Sequence, residues 1–166
     1  MDNRFPHPRV LNIVGKKKSG KTTLIEFLIR ELTARGFRVG SLKHSSHPHP
    51  LDKAGSDSDR FRLAGANPVV FATPEGMAVF LSVDNREEQN RYLQVIFREC
   101  DLIFVESLHT LDAPKIALLS GEELSMEWEN IIAVVNPQGT HPQYTAFRPG
   151  DGRLVDFIQD TFLTDK

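Results

Sequence analysis

Between residues 10 and 35 the chain passes from a short apolar run, Val10-Leu11-Asn12-Ile13-Val14, through Gly15-Lys16-Lys17-Lys18-Ser19-Gly20-Lys21-Thr22. It continues into a segment that repeats Leu24, Phe27, Leu28 and Leu32 at helical spacing. The central octet fills every fixed position of G-x-x-x-x-G-K-[ST], and its flanks supply the context that pattern requires, a strand before and a helix after. Two glycines permit a tight backbone path that turns peptide N–H groups inward. The positive end of the helix dipole opens at the same place, so residues 15–22 are suited to holding a polyphosphate. Lys21 supplies a point charge for the β- and γ-phosphates, and the Thr22 hydroxyl is a natural magnesium ligand. Ser19 and Thr23 complete the nucleotide-contacting stretch, and the expected ligand is a purine nucleoside triphosphate with magnesium. Lys16, Lys17 and Lys18 carry two readings, a solvated basic face or direct phosphate contacts, and both stay open.

A strand, a helix ended by Gly36, and a second strand over residues 37–42 require the two strands to lie parallel. Residues 102–105 and 131–135 read as further parallel strands buried on both faces, with another over residues 116–119. Residues 58–66 and 86–98 read as helices, and residues 152–162 as a last helix that closes an outer layer. Residues 69–72 and 78–83 flank Thr73-Pro74-Glu75-Gly76 and predict two antiparallel strands added to the parallel sheet. The expected fold is α/β, a mostly parallel twisted sheet with flanking helices of the P-loop NTPase type, in one domain over residues 1–166.

Composition narrows the setting. A chain of 166 residues with 40% apolar content can bury one ordinary core. The net charge of -2 lacks the positive excess that draws a protein onto nucleic acid or an anionic membrane. Cys100 is the single cysteine, which excludes an intrachain disulfide and points to a reduced compartment. No apolar run approaches the roughly 20 residues of a membrane span. A cytoplasmic protein without nucleic-acid or membrane partners is expected.

The second strand that carries chemistry is Asp101-Leu102-Ile103-Phe104-Val105-Glu106. Glu106 stands at its carboxyl end, the edge of a parallel sheet where ligands bind, and is expected to hold a magnesium-bound water or orient the attacking one. Asp101, at the other end, reads as structural. Lys43-His44-Ser45-Ser46-His47-Pro48-His49 follows the second strand at the same ligand edge. Its histidines suggest zinc, but their spacing fits no closed ligand set, so a phosphate- or partner-facing switch loop through Lys43, His44 and His47 is preferred. Asp57 begins the next helix as a cap, an indirect magnesium contact, or both.

Together with Thr23-Leu24, Lys43-His44 with His47, Ala54-Gly55-Ser56-Asp57-Ser58, Leu63-Ala64-Gly65-Ala66 and Pro114-Lys115-Ile116, these motifs resemble MobB, the molybdopterin-guanine dinucleotide biosynthesis protein B family. The order and spacing agree over nearly the whole chain. The resemblance implies a GTP-binding, weakly hydrolysing accessory protein, usually a homodimer, that assists the guanylyltransferase MobA in attaching GMP to molybdopterin, with MobA as the expected partner and molybdopterin as a second candidate. Two departures matter. The family usually has Glu-Gly-Phe-Lys where this chain has Glu106-Ser107-Leu108-His109. There is also no Asn-Lys-x-Asp guanine-reading motif, and Asn136, in Asn136-Pro137-Gln138-Gly139, is the candidate for the base pocket. Two other classes fit a P-loop as well, a small-molecule kinase and a non-catalytic nucleotide-binding adaptor. A kinase would need an arginine-bearing lid, whereas Arg60, Arg62 and Arg98 are scattered.

Overall fold

In chain order the elements are β1 (Val10–Gly15), α1 (Lys21–Ala34), β2 (Val39–Lys43), α2 (Asp57–Leu63), β3 (Val69–Thr73), β4 (Gly76–Phe80) and α3 (Arg86–Ile96). They continue with β5 (Leu102–Glu106), β6 (Lys115–Leu118), β7 (Ile131–Val135), β8 (Ala146–Phe147) and α4 (Gly152–Phe162). The computed structural model describes residues 5–45, 47–121, 124–125 and 127–164. These divide into two compact units, one within Met1–His44 and Leu93–Lys166, the other within Ser45–Tyr92.

The first unit is built on a six-stranded, all-parallel sheet of order β2-β5-β1-β6-β7-β8. Its central strands β1, β5 and β6 are buried almost throughout because both faces are covered. On one face Leu11 and Ile13 of β1, Leu102 and Phe104 of β5 and Ile116 of β6 pack with Leu24, Leu28 and Leu32 of α1 and with Leu154, Val155 and Ile158 of α4. These helical residues recur every three or four positions, so each helix turns one apolar stripe to the sheet. Leu28 is fully buried, and Leu28→Ala would cost about 2–5 kcal/mol in transfer and cavity terms. The opposite face holds Val10, Ile103 and Val105 with Phe97, Leu111 and Ala113, and, further along, Val14, Ala117, Leu119 and Val134. Asp101 Oδ2 accepts the Arg38 backbone N–H at 2.8 Å, the structural role expected of it.

The second unit contains α2 and the β3–β4 hairpin, paired from Val69 with Phe80 to Thr73 with Gly76. The hairpin was expected as an addition to the parallel sheet, but it forms a two-stranded sheet of its own. Alternation and a turn show that two runs face each other, without showing which other strand accepts them. The cap of α2 also differs: Ser56 is the N-cap, its hydroxyl accepting the Asp59 N–H, and Asp57 is the first helical residue. Strand β8, only two residues long, carries too little pattern to be read from the sequence.

Candidate nucleotide-binding site

The loop between β1 and α1 is shaped by its glycines. A Cβ on Gly15 would lie 2.6 Å from the Leu118 carbonyl oxygen and 2.9 Å from Ser19 Oγ, so only glycine lets the loop close against β6. Gly20 sits at φ 95 at the N-cap of α1 and has no side chain to cap the helix. Its left-handed conformation favours glycine, and the first N–H groups of α1 receive no hydrogen bond from a capping side chain. Ser19 Oγ is buried without a hydrogen-bond partner in the loop, an unfilled polar atom of the kind an anion or its metal would satisfy.

Lys21 is only 7% exposed. Its Nζ donates to the carbonyls of Gly15 at 3.0 Å and Lys16 at 2.7 Å, folding the side chain back over the loop. Burial holds its ammonium below the ordinary lysine range; nearby Glu106 opposes this and Lys43 adds to it. Lys16, Lys17, Lys18, Thr22 and Thr23 are exposed. Thr22 Oγ1 donates to Glu106 at 3.2 and 3.3 Å from its two carboxylate oxygens, joining the start of α1 to the carboxyl end of β5. Lys43 is the register partner of Glu106 across β2 and β5, and its Nζ lies 3.9 Å from Glu106 Oε2. The structure therefore brings Lys21, Thr22, Lys43 and Glu106 together at the carboxyl edge of the sheet. A hydroxyl beside a carboxylate is a hard-oxygen donor set that suits magnesium, which completes its shell with water and phosphate oxygens.

Other expected residues are placed differently. Both ends of the Asn136 amide are engaged within its own loop: Nδ2 donates to the Thr140 carbonyl at 2.9 Å, and Oδ1 accepts the Gly139 N–H at 2.7 Å. Asp57 is exposed in the second unit and lies 3.7 Å from Arg60. His44, His47 and His49 are exposed, and His47 donates its backbone N–H to Ser45 Oγ at 3.2 Å. Ser46 lies outside the described residues. No group of three or more His, Cys, Asp or Glu among the described residues is arranged to hold a metal. Arg60, Arg62 and Arg98 lie beside Asp57, Asp59 and Glu99 respectively.

Three features escaped the sequence reading. His109 stacks on Trp128 with ring centroids 5.8 Å apart and planes 5° from parallel. Burial, with Lys21 and Lys115 nearby, pushes its imidazole below the ordinary histidine range. Asn12 and Lys115, register partners on β1 and β6, are 0% and 2% exposed. The only signal for Asn12 was one polar residue inside an apolar run.

The family model for molybdopterin guanine dinucleotide synthesis protein B, MobB, matches residues 10–137. The chain belongs to the MobB family. It is 30% identical over 164 residues to the probable molybdopterin-guanine dinucleotide biosynthesis adapter protein of Bacillus subtilis, with 92% of each chain covered. It is 40% identical over 119 residues to the molybdopterin-guanine dinucleotide biosynthesis adapter protein of Haemophilus influenzae, a match that spans 71% of this chain and 65% of that protein, just under two thirds of its length. A solved molybdopterin-guanine biosynthesis protein B superposes with a TM-score of 0.72 at 28% identity, covering 92% of this chain and 98% of that one. The crystal structure of Bacillus subtilis MobB gives a TM-score of 0.75 at 23% identity and covers 95% and 99% of the two chains, a likeness of fold. The matched family span runs from β1 to just beyond β7 and so holds every residue gathered around Glu106. No helix among the described residues is long and apolar enough to cross a membrane.

Proposed function

We propose that this MobB-family chain is a cytoplasmic accessory protein of molybdopterin guanine dinucleotide biosynthesis that binds GTP with magnesium, hydrolyses it slowly and assists the guanylyltransferase MobA. The observation that carries this reading is the Thr22–Glu106 contact beside a glycine-shaped loop. It joins a metal-suited hydroxyl to an acid at the edge of the sheet where a triphosphate would enter. Thr22 would bind the metal and Glu106 would hold one of its waters, while magnesium itself would neutralise charge on the β- and γ-phosphates. Lys21 would leave the carbonyls of Gly15 and Lys16 for phosphate oxygens, and Ser19 Oγ would gain the partner it lacks.

The guanine preference follows from the family's guanine dinucleotide product. Asn136 is the proposed base-pocket residue, and its amide would exchange the Thr140 carbonyl and Gly139 N–H of its own loop for the base. Lys43, His44 and His47 would form the switch or partner-facing segment, with Asp57 as an indirect metal contact, in a chain that works as one nucleotide-binding domain. Homodimerisation is supported by the apolar side chains that the second unit exposes on its hairpin, Val70, Phe71, Met77 and Val79. Molybdopterin would be handled by the complex with MobA.

The test is calorimetric titration with GTP and ATP, with and without magnesium, alongside phosphate release by wild type and Glu106→Gln. The reading predicts magnesium-dependent GTP binding, a preference over ATP, and at least about tenfold slower release in the variant, equivalent to about 1.4 kcal/mol of barrier. Absence of triphosphate binding would overturn it.

A further inference from the structure

A helix satisfies its own carbonyls, whereas a loop pressed against a sheet must find donors elsewhere. Residues 107–114 connect β5 to β6 across β1 with no helix between them, and Leu111 and Ala113 within this connection are buried at 1% and 4%. The Leu108 carbonyl accepts the Leu111 N–H at 3.0 Å and the Leu111 carbonyl the Ala113 N–H at 3.1 Å, and side chains of β1 and β6 add donors to the same two carbonyls. Asn12 Nδ2 donates to the Leu108 carbonyl at 2.7 Å. Lys115 Nζ donates to the Leu111 carbonyl at 2.7 Å and, more weakly, to that of Ala113 at 3.4 Å.

The connection begins at Glu106. Ser107 leaves the strand at φ 64 and donates its N–H to the Ile13 carbonyl at 3.1 Å, so the exit angle of the chain is set within one residue of the carboxylate. Leu108, held by Asn12, is the next residue. We propose that Asn12 and Lys115 are positioning residues for Glu106: by holding the 107–114 connection from beneath, they fix the direction in which Glu106 presents its carboxylate to Thr22. A polar pair buried on an otherwise apolar face carries a desolvation cost that two apolar residues would avoid, which fits a role beyond packing. The inference rests on the reading of Glu106 as the acid that serves the metal-bound triphosphate.

Asn12→Leu and Lys115→Met, two apolar replacements of similar size, remove the donors while keeping the volume. Both are compared with wild type and Glu106→Gln for phosphate release from GTP, for affinity toward a non-hydrolysable GTP analogue with and without magnesium, and for melting temperature. Each variant is expected to reproduce the Glu106→Gln defect, with release at least about tenfold slower, while magnesium-free affinity, set by the loop N–H groups and Lys21, stays within about threefold. The emission of Trp128, the single tryptophan, which stacks on His109 inside the connection, is expected to shift in both variants without any nucleotide. Either variant suffices if the other does not fold. Wild-type release with an impaired Glu106→Gln overturns the inference alone. So does a loss that falls equally on magnesium-free affinity and follows the melting temperature, or unshifted Trp128 emission. Wild-type turnover by Glu106→Gln overturns the reading of Glu106 and this inference with it.

Discussion

Lys21→Ala removes a cation that the fold has already desolvated at the glycine-shaped loop. At 7% exposure the ammonium has lost most of its water, and it makes hydrogen bonds to the Gly15 and Lys16 carbonyls in exchange. On the proposed reading, those two bonds would be traded for bonds to phosphate oxygens, which carry full charge where the carbonyls carry only partial charge. A hydrogen bond to a charged group is worth about 1.5–3 kcal/mol net. Allowing for the carbonyl bonds given up, the substitution is expected to weaken triphosphate binding by about 2 kcal/mol, close to thirtyfold. The released carbonyls lie on a loop whose lysines are exposed, so water replaces Nζ and the fold is retained. Lys17→Ala is the control: it removes the same charge from a solvent-exposed position, where screening holds its effect to about 1 kcal/mol or less. Titration of both variants with a non-hydrolysable triphosphate at fixed ionic strength measures the difference. Because burial lowers the lysine's pKa, its charge is lost earlier as pH rises, and wild-type affinity is expected to fall on the alkaline side before an exposed lysine would titrate. A folded Lys21→Ala variant with wild-type affinity would refute the assignment of this loop to phosphate.

Gly15→Ala places a methyl 2.6 Å from the Leu118 carbonyl oxygen, so the loop must move away from β6; a destabilisation of about 1–3 kcal/mol in thermal melts, with weaker triphosphate binding, is expected. Acid should unfold the protein partly through Asp59 and Asp151, whose carboxyls sit below their ordinary 3.8, the first because of the Gly55 N–H and Arg62, the second because of Arg153. For depressed carboxyls the stabilisation is complete above the unfolded value and disappears as pH falls through the folded one. Asp151→Asn keeps a cap acceptor for α4 but removes that titration, so its melting temperature should lie below wild type at neutral pH and converge with it in acid. Hydrogen exchange over residues 43–57 is expected to slow when magnesium and triphosphate, or the partner, are added; equal protection in all three states would remove the switch role of Lys43, His44 and His47.

The glycine-shaped loop between β1 and α1 was legible because its information is local. Eight consecutive residues, a strand before them and a helix after them, define Gly15, Gly20, Lys21 and Thr22 without reference to the rest of the chain. Glu106 was legible for a related reason, since a carboxylate ending a doubly buried strand lies on the ligand edge wherever that strand sits in the sheet. Asp57 was read from its place at the start of a helix, and Asn136 from its place after the last apolar strand. The engagement of Asn136 with Thr140 and Gly139 depends on how its loop turns, and no periodicity reports that.

By itself, then, the sequence determined the elements with strong short-range pattern, the parallel character of the main sheet, and the glycine-shaped loop that joins β1 to α1 through a contiguous motif. The tertiary structure decided what depends on register and on which surfaces cover one another. It set Lys43 beside Glu106 through the pairing of β2 with β5, closed Thr22 onto that carboxylate across 84 residues, and kept β3–β4 as a separate sheet. It also placed Asn12 and Lys115 beneath the helix-free connection from β5 to β6. Side-chain periodicity encodes which face of an element is buried, but the partner that buries it is selected by the collective packing of the core, where each strand's register is fixed by its neighbours rather than by its own residues.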